Sequence, residues 1–192
     1  IDYSNSDDMS YNFKGGNGDG PYGIQDISTF WNERTWPFNS EVGSVGVGDE
    51  VSLKRFLPEE NYTVPVEYEG TEAVKDPVWT YHKYIDYGNS LEAYGTPENM
   101  ADFAKKAQLV NYNQYRGLME GFSSHMWDWY TGSIIWKTQN PWTALRGQMY
   151  DYYLDPNACL FGLREGSKPL HFMYNATTGD VHLVNNGFEA QY

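Results

Sequence analysis

Residues 96–122 carry the pattern that most narrows the fold. Thr96 suits a helix N-cap, Pro97 the first helical position and Glu98 the positive end of the helix dipole. Behind them Phe103, Ala107, Val110, Leu118 and Phe122 recur near the helical period, so the spacing predicts a long helix with one buried face. Short apolar segments flank it. Trp36 to Val42, bounded by Pro37 and Gly43, reads as a brief buried strand that carries Glu41 near its end. Ser133-Ile134-Ile135-Trp136 reads as another, because it is short and β-branched. Trp142, Leu145, Met149 and Tyr153 then mark a second amphipathic helix. Strand, helix, strand and helix in alternation predict an α/β fold built from the βα units of a parallel sheet or barrel.

The flanking regions are of other kinds. Residues 1–35 are polar and rich in Gly, Asn and Asp, with a dense glycine run from Gly15 to Gly23. They read as a surface loop, long enough to imply a functional one. Residues 43–95 mix turns and aromatics without a sustained period, including Trp79-Thr80-Tyr81-His82-Lys83-Tyr84. After Pro169, Phe172 and Tyr174 alternate, Thr178-Gly179-Asp180 can turn, and Val181 and Leu183 alternate again. That pattern predicts a hairpin opening an all-β domain which residue 192 cuts short. No internal repeat is visible.

Charge and composition remove several function classes. Thirteen basic against twenty-six acidic residues give a net charge of -13, which repels nucleic acid and anionic membrane. No run reaches the roughly 18 apolar residues of a membrane span. A single cysteine, Cys159, excludes a disulfide within the chain. His82, His125, His171 and His182 lack metal-ligand spacing, so no metal is expected. Gly18-Asp19-Gly20-Pro21-Tyr22-Gly23 formally matches the dinucleotide-binding glycine pattern. No apolar strand precedes it, however, and Pro21 sits where a helix would have to open, so no cofactor is expected either. A serine-hydrolase elbow is absent too; Gly43-Ser44-Val45-Gly46 has the wrong spacing. The seven Trp and seventeen Tyr suit sugar faces as well as a core. Asn61-Tyr62-Thr63 and Asn175-Ala176-Thr177 are glycosylation sequons that permit a secretory compartment. A start on Ile1 suggests a processed or incompletely represented polypeptide.

Carboxylates are the remaining candidates. Retaining glycosidases hold two carboxyl groups about 5–5.5 Å apart, one a nucleophile and the other an acid/base. Glu33 and Glu41 are near neighbours in sequence, but such groups sit at the ends of different barrel strands. Glu33 lies in the approach to the strand of Glu41, so it reads as a solvated loop residue. Glu41 follows a buried strand and precedes a glycine-rich turn, where barrel active sites are built.

With Glu41 placed, FNSEVGSVG (38–46), WTYHKY (79–84), YGTPEN (94–99), AQLVNYNQYR (107–116), YTGSIIWKTQNPWTALRGQMYD (130–151) and YLDPNACLFG (153–162) stand in order along the chain. Together they resemble glycoside hydrolase family 2, in the branch of the plant endo-β-mannosidases and the exo-β-glucosaminidases. The resemblance implies that residues 1–168 are the C-terminal portion of a catalytic (β/α)8 TIM barrel, with strands 7 and 8 and their helices. Residues 169–192 would then begin an immunoglobulin-like β-sandwich. Glu41 would be the nucleophile at the end of the seventh strand, and residues 133–140 the eighth. Trp136 would be the aromatic floor under the sugar, with Lys137, Asn140 and Trp142 near it and His82 touching substrate.

The family's acid/base glutamate belongs to an Asn-Glu motif upstream of Ile1. The resemblance therefore implies partner polypeptides of the same enzyme supplying the N-terminal domains, barrel strands 1–6 and the acid/base. It implies cleavage of the β-mannosyl linkage in an N-glycan core, or alternatively release of glucosamine from chitosan oligomers. It also implies a secretory setting, vacuolar/lysosomal-type or extracellular. A non-catalytic glycan-binding assembly that keeps the fold is the reading of another class.

Overall fold

The computed structural model describes residues 17–33, 36–65, 76–187 and 189. Its centre is a parallel three-stranded sheet in the order β1 (Asn17–Tyr22), β2 (Phe38–Gly43), β3 (Gly132–Ile135). Parallel neighbours need crossovers, and helices supply them. Helix α1 (Ile27–Asn32) joins β1 to β2, and α4 (Met100–Ser123) lies in the long connection from β2 to β3. The two strands expected from the apolar runs are present, each shifted by one or two residues.

β1 and α1 correct the expectation of a structureless loop over residues 1–35, of which residues 1–16, 34 and 35 lie outside the described residues. A glycine-rich strand can form here because it pairs along β2, with Asn17 opposite Phe38 and Gly18 opposite Asn39. Gly18 has a packing reason: a Cβ there would fall 2.0 Å from the Trp36 ring. Trp36 in turn donates its indole N–H to the Asp19 carbonyl at 3.0 Å.

α4 organises the rest. Phe103, Ala107, Val110, Leu118 and Phe122 are all buried, as the periodicity predicts. The helix begins later than Thr96-Pro97 suggests, because the cap is Asn99, whose side chain accepts from the Asp102 N–H. Its N-terminal half packs Met100, Phe103, Ala104, Ala107 and Val110 against Leu53, Leu57, Trp79, Tyr87 and Leu91 of the 44–95 excursion. The described residues of that excursion include α2 (Glu50–Leu53), α3 (Pro77–Tyr81) and two 3-10 turns. Its C-terminal half covers the sheet: Leu118 and Phe122 meet Val42 of β2 and Phe30 of α1. A helix of 24 residues is about 36 Å long, so one element can serve both cores.

The second amphipathic helix expected from Trp142, Leu145, Met149 and Tyr153 does not form. Those residues belong to an irregular segment that turns back on β3: Lys137 N–H donates to the Gly147 carbonyl, and Met149 N–H to the Lys137 and Thr138 carbonyls. The apolar side chains point inward from a loop, so their spacing imitates a helix. The helix lies further on, at α5 (Ala158–Gly166), capped by the Asn157 side chain. Beyond it the predicted hairpin is present as β4 (Leu170–Asn175) and β5 (Asp180–Asn185). It docks on α4 where His171 Nε2 and Arg116 Nε both donate to Glu120 Oε1, each at 2.7 Å. Among the described residues no helix is long and apolar enough to cross a membrane.

Candidate active site

The ends of all three parallel strands open on one cleft of about 460 Å³, lined by Asp19, Tyr22, Glu41, Trp136, Lys137 and Arg146, with Gly23, Gly43, Ser44, Ile85 and Gly147 between them. Ligands bind at this end of parallel sheets because the chain there leaves each strand for a variable loop. Glu41 reaches the cleft through an irregularity. Between Asn39 and Val42, β2 holds one residue more than the facing stretch of β3, and it gains a residue on β1 at the same place. Such a bulge re-aims a side chain without unpairing the strand.

The hydroxyl of Tyr22, at the end of β1, donates to Glu41 Oε1 at 2.6 Å, and Asp19 Oδ2 stands 3.2 Å from the same hydroxyl. Burial first, then the hydrogen bond to Glu41 and the charge of Asp19, push the Tyr22 phenol well above its ordinary range. Of the two acceptors, Glu41 is the nearer to the Tyr22 hydroxyl. The lining also includes aromatic and cationic groups. Trp136 is 47% exposed, and Lys137 Nζ lies 5.2 Å from its ring centroid. The Trp136–Lys137 peptide bond is cis. Desolvation, and then the charge of Arg146, hold the Lys137 ammonium below the usual lysine range.

The segment behind Glu41 is clamped from α4. Residues 44–47 run through the interior, so their backbone groups need partners from within the protein. Tyr115 OH accepts the Ser44 N–H, while Gln108, Asn111 and Asn157 all donate to the Val47 carbonyl. Gly43 permits the closest approach in the site: a Cβ there would sit 1.9 Å from the Trp136 carbonyl oxygen. The Gly43-Ser44-Val45-Gly46 run is thus a packing device joining β2 to the loop after β3.

Of the six residues singled out in the sequence, the structure brings together Glu41, Trp136 and Lys137 in the cleft. His82, Asn140 and Trp142 stand outside its lining. His82 is buried and donates from Nδ1 to the Thr143 carbonyl at 2.6 Å, with its ring stacked on Trp142. Asn140 is 1% exposed and donates to the Arg146 carbonyl and the Gln148 side chain, so it shapes the loop that presents Arg146. Glu33 follows α1 and precedes β2, at the other end of the sheet, and is exposed. Asp19, Tyr22 and Arg146 are cleft residues that sequence reasoning missed.

The remaining histidines and Cys159 lie outside the lining of this cleft. His125 donates to the Trp31 carbonyl, His171 pairs with Glu120, and His182 packs on the Trp31 ring. Among the described residues no three His, Cys, Asp or Glu side chains gather as a metal ion requires. Cys159 is fully buried, and burial pushes its thiol far above the usual range.

Fold and cleft together define an α/β protein that holds two carboxylates, an exposed aromatic ring and two cations at the ends of parallel strands. No protein-family model matches the chain. It is 44% identical over 190 residues to the mannosylglycoprotein endo-β-mannosidase of Lilium longiflorum, a match covering 93% of this chain and 20% of that protein. To the exo-β-D-glucosaminidase of Amycolatopsis orientalis it is 31% identical over 156 residues, 78% of this chain and 15% of that one. The crystal structure of the Amycolatopsis orientalis exo-chitosanase superposes with a TM-score of 0.67 at 25% identity, covering 88% of this chain and 21% of that chain. The chain is similar to these glycosidases over most of its own length. It spans about a fifth of the length of the relatives it matches.

Proposed function

We propose that this chain supplies the nucleophile half of a retaining glycoside hydrolase acting on the β-mannosyl linkage of an N-glycan core. The observation that carries this is Glu41: a carboxylate aimed by a strand bulge into a cleft, held by the Tyr22 hydroxyl at 2.6 Å, facing the exposed ring of Trp136. The sugar stacks on Trp136, and Glu41 attacks its anomeric carbon. A glutamic acid from a segment outside this chain protonates the departing oxygen. The same glutamate then takes a proton from water, which releases the sugar from Glu41 with retained configuration. The Tyr22 donor suits both halves of this cycle, because it offsets negative charge on Glu41 whenever the ester is absent. The endo-β-mannosidase likeness supports the choice of linkage. The exo-β-glucosaminidase relatives make release of glucosamine the second reading.

In this reading β1, β2 and β3 are the last three strands of an eight-stranded barrel, one more than the apolar runs indicate, and residues 1–168 are its C-terminal portion. Residues 169–192 begin a β-sandwich. Phe172, Tyr174, Val181 and Leu183 of the hairpin are more than half exposed and pair across the strands, which is the face a second sheet would cover. Other polypeptides of the same enzyme, or other parts of one chain, supply strands 1–5 and the acid/base. The enzyme works in a secretory, vacuolar/lysosomal-type or extracellular setting.

Glu41→Gln in the complete enzyme should lower turnover of a β-mannosyl substrate by about 10³-fold or more. Glu41→Ala supplied with azide should yield the α-mannosyl azide from an activated aryl mannoside, because azide attacks from the face that Glu41 vacates. Retained activity in the Gln variant, or a β-configured azide product, would refute the assignment.

A further inference from the structure

We infer that Lys137 and Arg146 set the charge specificity of this cleft, admitting a neutral 2-hydroxy sugar over Trp136 and rejecting a 2-amino sugar in its protonated form. The inference rests on the reading of the cleft as a glycosyl-binding site, and it decides between the two substrates that reading leaves open.

The chain carries twice as many acidic as basic residues, yet this cleft holds two cations. Among the described residues, neither forms an ion pair, whereas Lys54, Arg55, Lys106, Arg116, Arg164 and Lys168 all do. Their backbones are fixed together. Lys137 N–H donates to the Gly147 carbonyl, the Lys137 carbonyl accepts from Met149, and Arg146 is bridged to Val45 beyond the end of β2. The buried Asn140 amide, donating to the Arg146 carbonyl at 3.1 Å, holds the loop in that position. The Lys137 ammonium is partly desolvated, and to a lesser degree it feels the neighbouring charge of Arg146. Two like charges are kept close in a cleft with no acidic partner between them.

The carboxylates Glu41 and Asp19 line the same cleft. Glu41 and Asp19 lie on paired positions of β2 and β1, and Tyr22 OH sits between them. Glu41 is committed to the anomeric carbon in the proposed reaction. A sugar on Trp136 meets Lys137 first, because the ammonium lies over that ring. Sugar hydroxyl oxygens accept from an ammonium and from a guanidinium, so a neutral sugar satisfies both cations. A C2 ammonium offers only donors and adds a third positive charge. At an assumed separation of roughly 7 Å and an effective dielectric of about 20 to 40, each cation taken alone weakens its binding by about 7- to 50-fold. The Glu41 and Asp19 charges, shared with the Tyr22 hydroxyl, offset part of that.

The test uses hydrolysis-resistant S-linked disaccharides, one mannosyl and one glucosaminyl at the non-reducing end, titrated calorimetrically into the complete enzyme at a pH where the amine is charged. The wild-type enzyme should prefer the mannosyl ligand by about tenfold or more, by the same like-charge repulsion. Lys137→Met with Arg146→Gln should bring the two affinities to within about threefold, mainly by tightening the glucosaminyl complex. Lys137→Arg, which keeps the charge, should keep the preference. Equal binding by the wild-type enzyme overturns the inference, as does a preference that survives the double substitution or is lost in Lys137→Arg. Hydrolysis of the O-linked mannosyl disaccharide by the same preparation reports separately on the proposed function. An enzyme that cleaves it but binds both S-linked ligands alike, or binds neither, sinks only the charge filter; one that neither cleaves it nor binds either ligand sinks both.

Discussion

Gly43→Ala is the sharpest test of how the cleft is held together. The added methyl would lie 1.9 Å from the Trp136 carbonyl oxygen and 3.0 Å from its carbon, both backbone atoms that no rotamer change can move aside. Relief needs a displacement of about 1.5 Å to reach ordinary contact. The Trp136 N–H donates to the Val42 carbonyl at 2.8 Å, so that movement also breaks the last hydrogen bond between β2 and the end of β3. Overpacking costs about 1–3 kcal/mol and the lost bond about 1 kcal/mol, for a total near 2–4 kcal/mol. Activity should fall further than stability, because a shift of about 1 Å between reacting groups can cost about 100-fold in rate. Gly132→Ala is the control. It sits on the adjoining strand, where the new methyl meets only the Phe38 ring at 3.3 Å, a half-exposed side chain free to turn. Melting temperature and kcat/KM of the complete enzyme should both drop for Gly43→Ala and stay near wild type for Gly132→Ala. Equal behaviour of the two variants would refute the account of Gly43 as the contact that sets Trp136 against Glu41.

Two further outcomes follow from local geometry. Asp102, in the first turn of α4, has its carboxyl held below the ordinary range, first by the Lys106 ammonium and then by the Glu98 N–H. A depressed carboxylate stabilises the fold above its unfolded pKa, and that contribution is lost as pH falls through the folded value. Asp102→Asn should therefore destabilise at neutral pH, with the gap to wild type closing on acidification in pH-stepped melts; a gap that widened would contradict the sign. Asn175 is only 7% exposed and its side-chain oxygen accepts from the Thr177 N–H, so peptide mapping of the protein expressed through a eukaryotic secretory pathway should find that sequon unoccupied. A glycan there would show that the hairpin packs otherwise.

Much of the frame was legible in the sequence because apolar periodicity reports burial directly. The α4 face and the hairpin follow from it, and so does the strand under Glu41. The errors share a cause: the same residues can be buried by regular or by irregular backbone. Trp142, Leu145 and Met149 have helical spacing, yet Gly147 packs on the Ser44 carbonyl and the segment bonds back to residues 137 and 138. β1 shows the converse, a strand whose glycines conceal it. Its partner β2 and the Trp36 ring supply what its own side chains lack. Missing β1 meant missing Tyr22 and Asp19, because only the β1–β2 register brings them to Glu41. Thr96-Pro97 offered one good cap, but Asn99 offered another three residues later, and Gly95 at φ 82° keeps the chain turning before it.

The proposed nucleophile is held by groups that all lie within the described residues. Everything that fixes Glu41 is internal: the bulge in β2, the Tyr22 hydroxyl, and the clamps from Tyr115, Gln108 and Asn111 on the residues behind it. The platform and the cations are fixed internally too, through Gly43 and the bonds between residues 137 and 147. What lacks partners among the described residues lies at the margins. β1 and β3 each pair only with β2, leaving both sheet edges open, and the hairpin exposes an apolar face. Parallel sheets are seldom left in that state, because an open edge presents unsatisfied backbone groups and its faces want covering. In the proposed reading, further barrel strands closing those edges would bring the proton donor over Glu41 without disturbing its own contacts. A rigid half-site of this kind lets the acid/base arrive on a separate segment at the retaining distance of about 5–5.5 Å. The geometry of the nucleophile is then set by this chain alone, and the efficiency of the first step by how well the two segments fit.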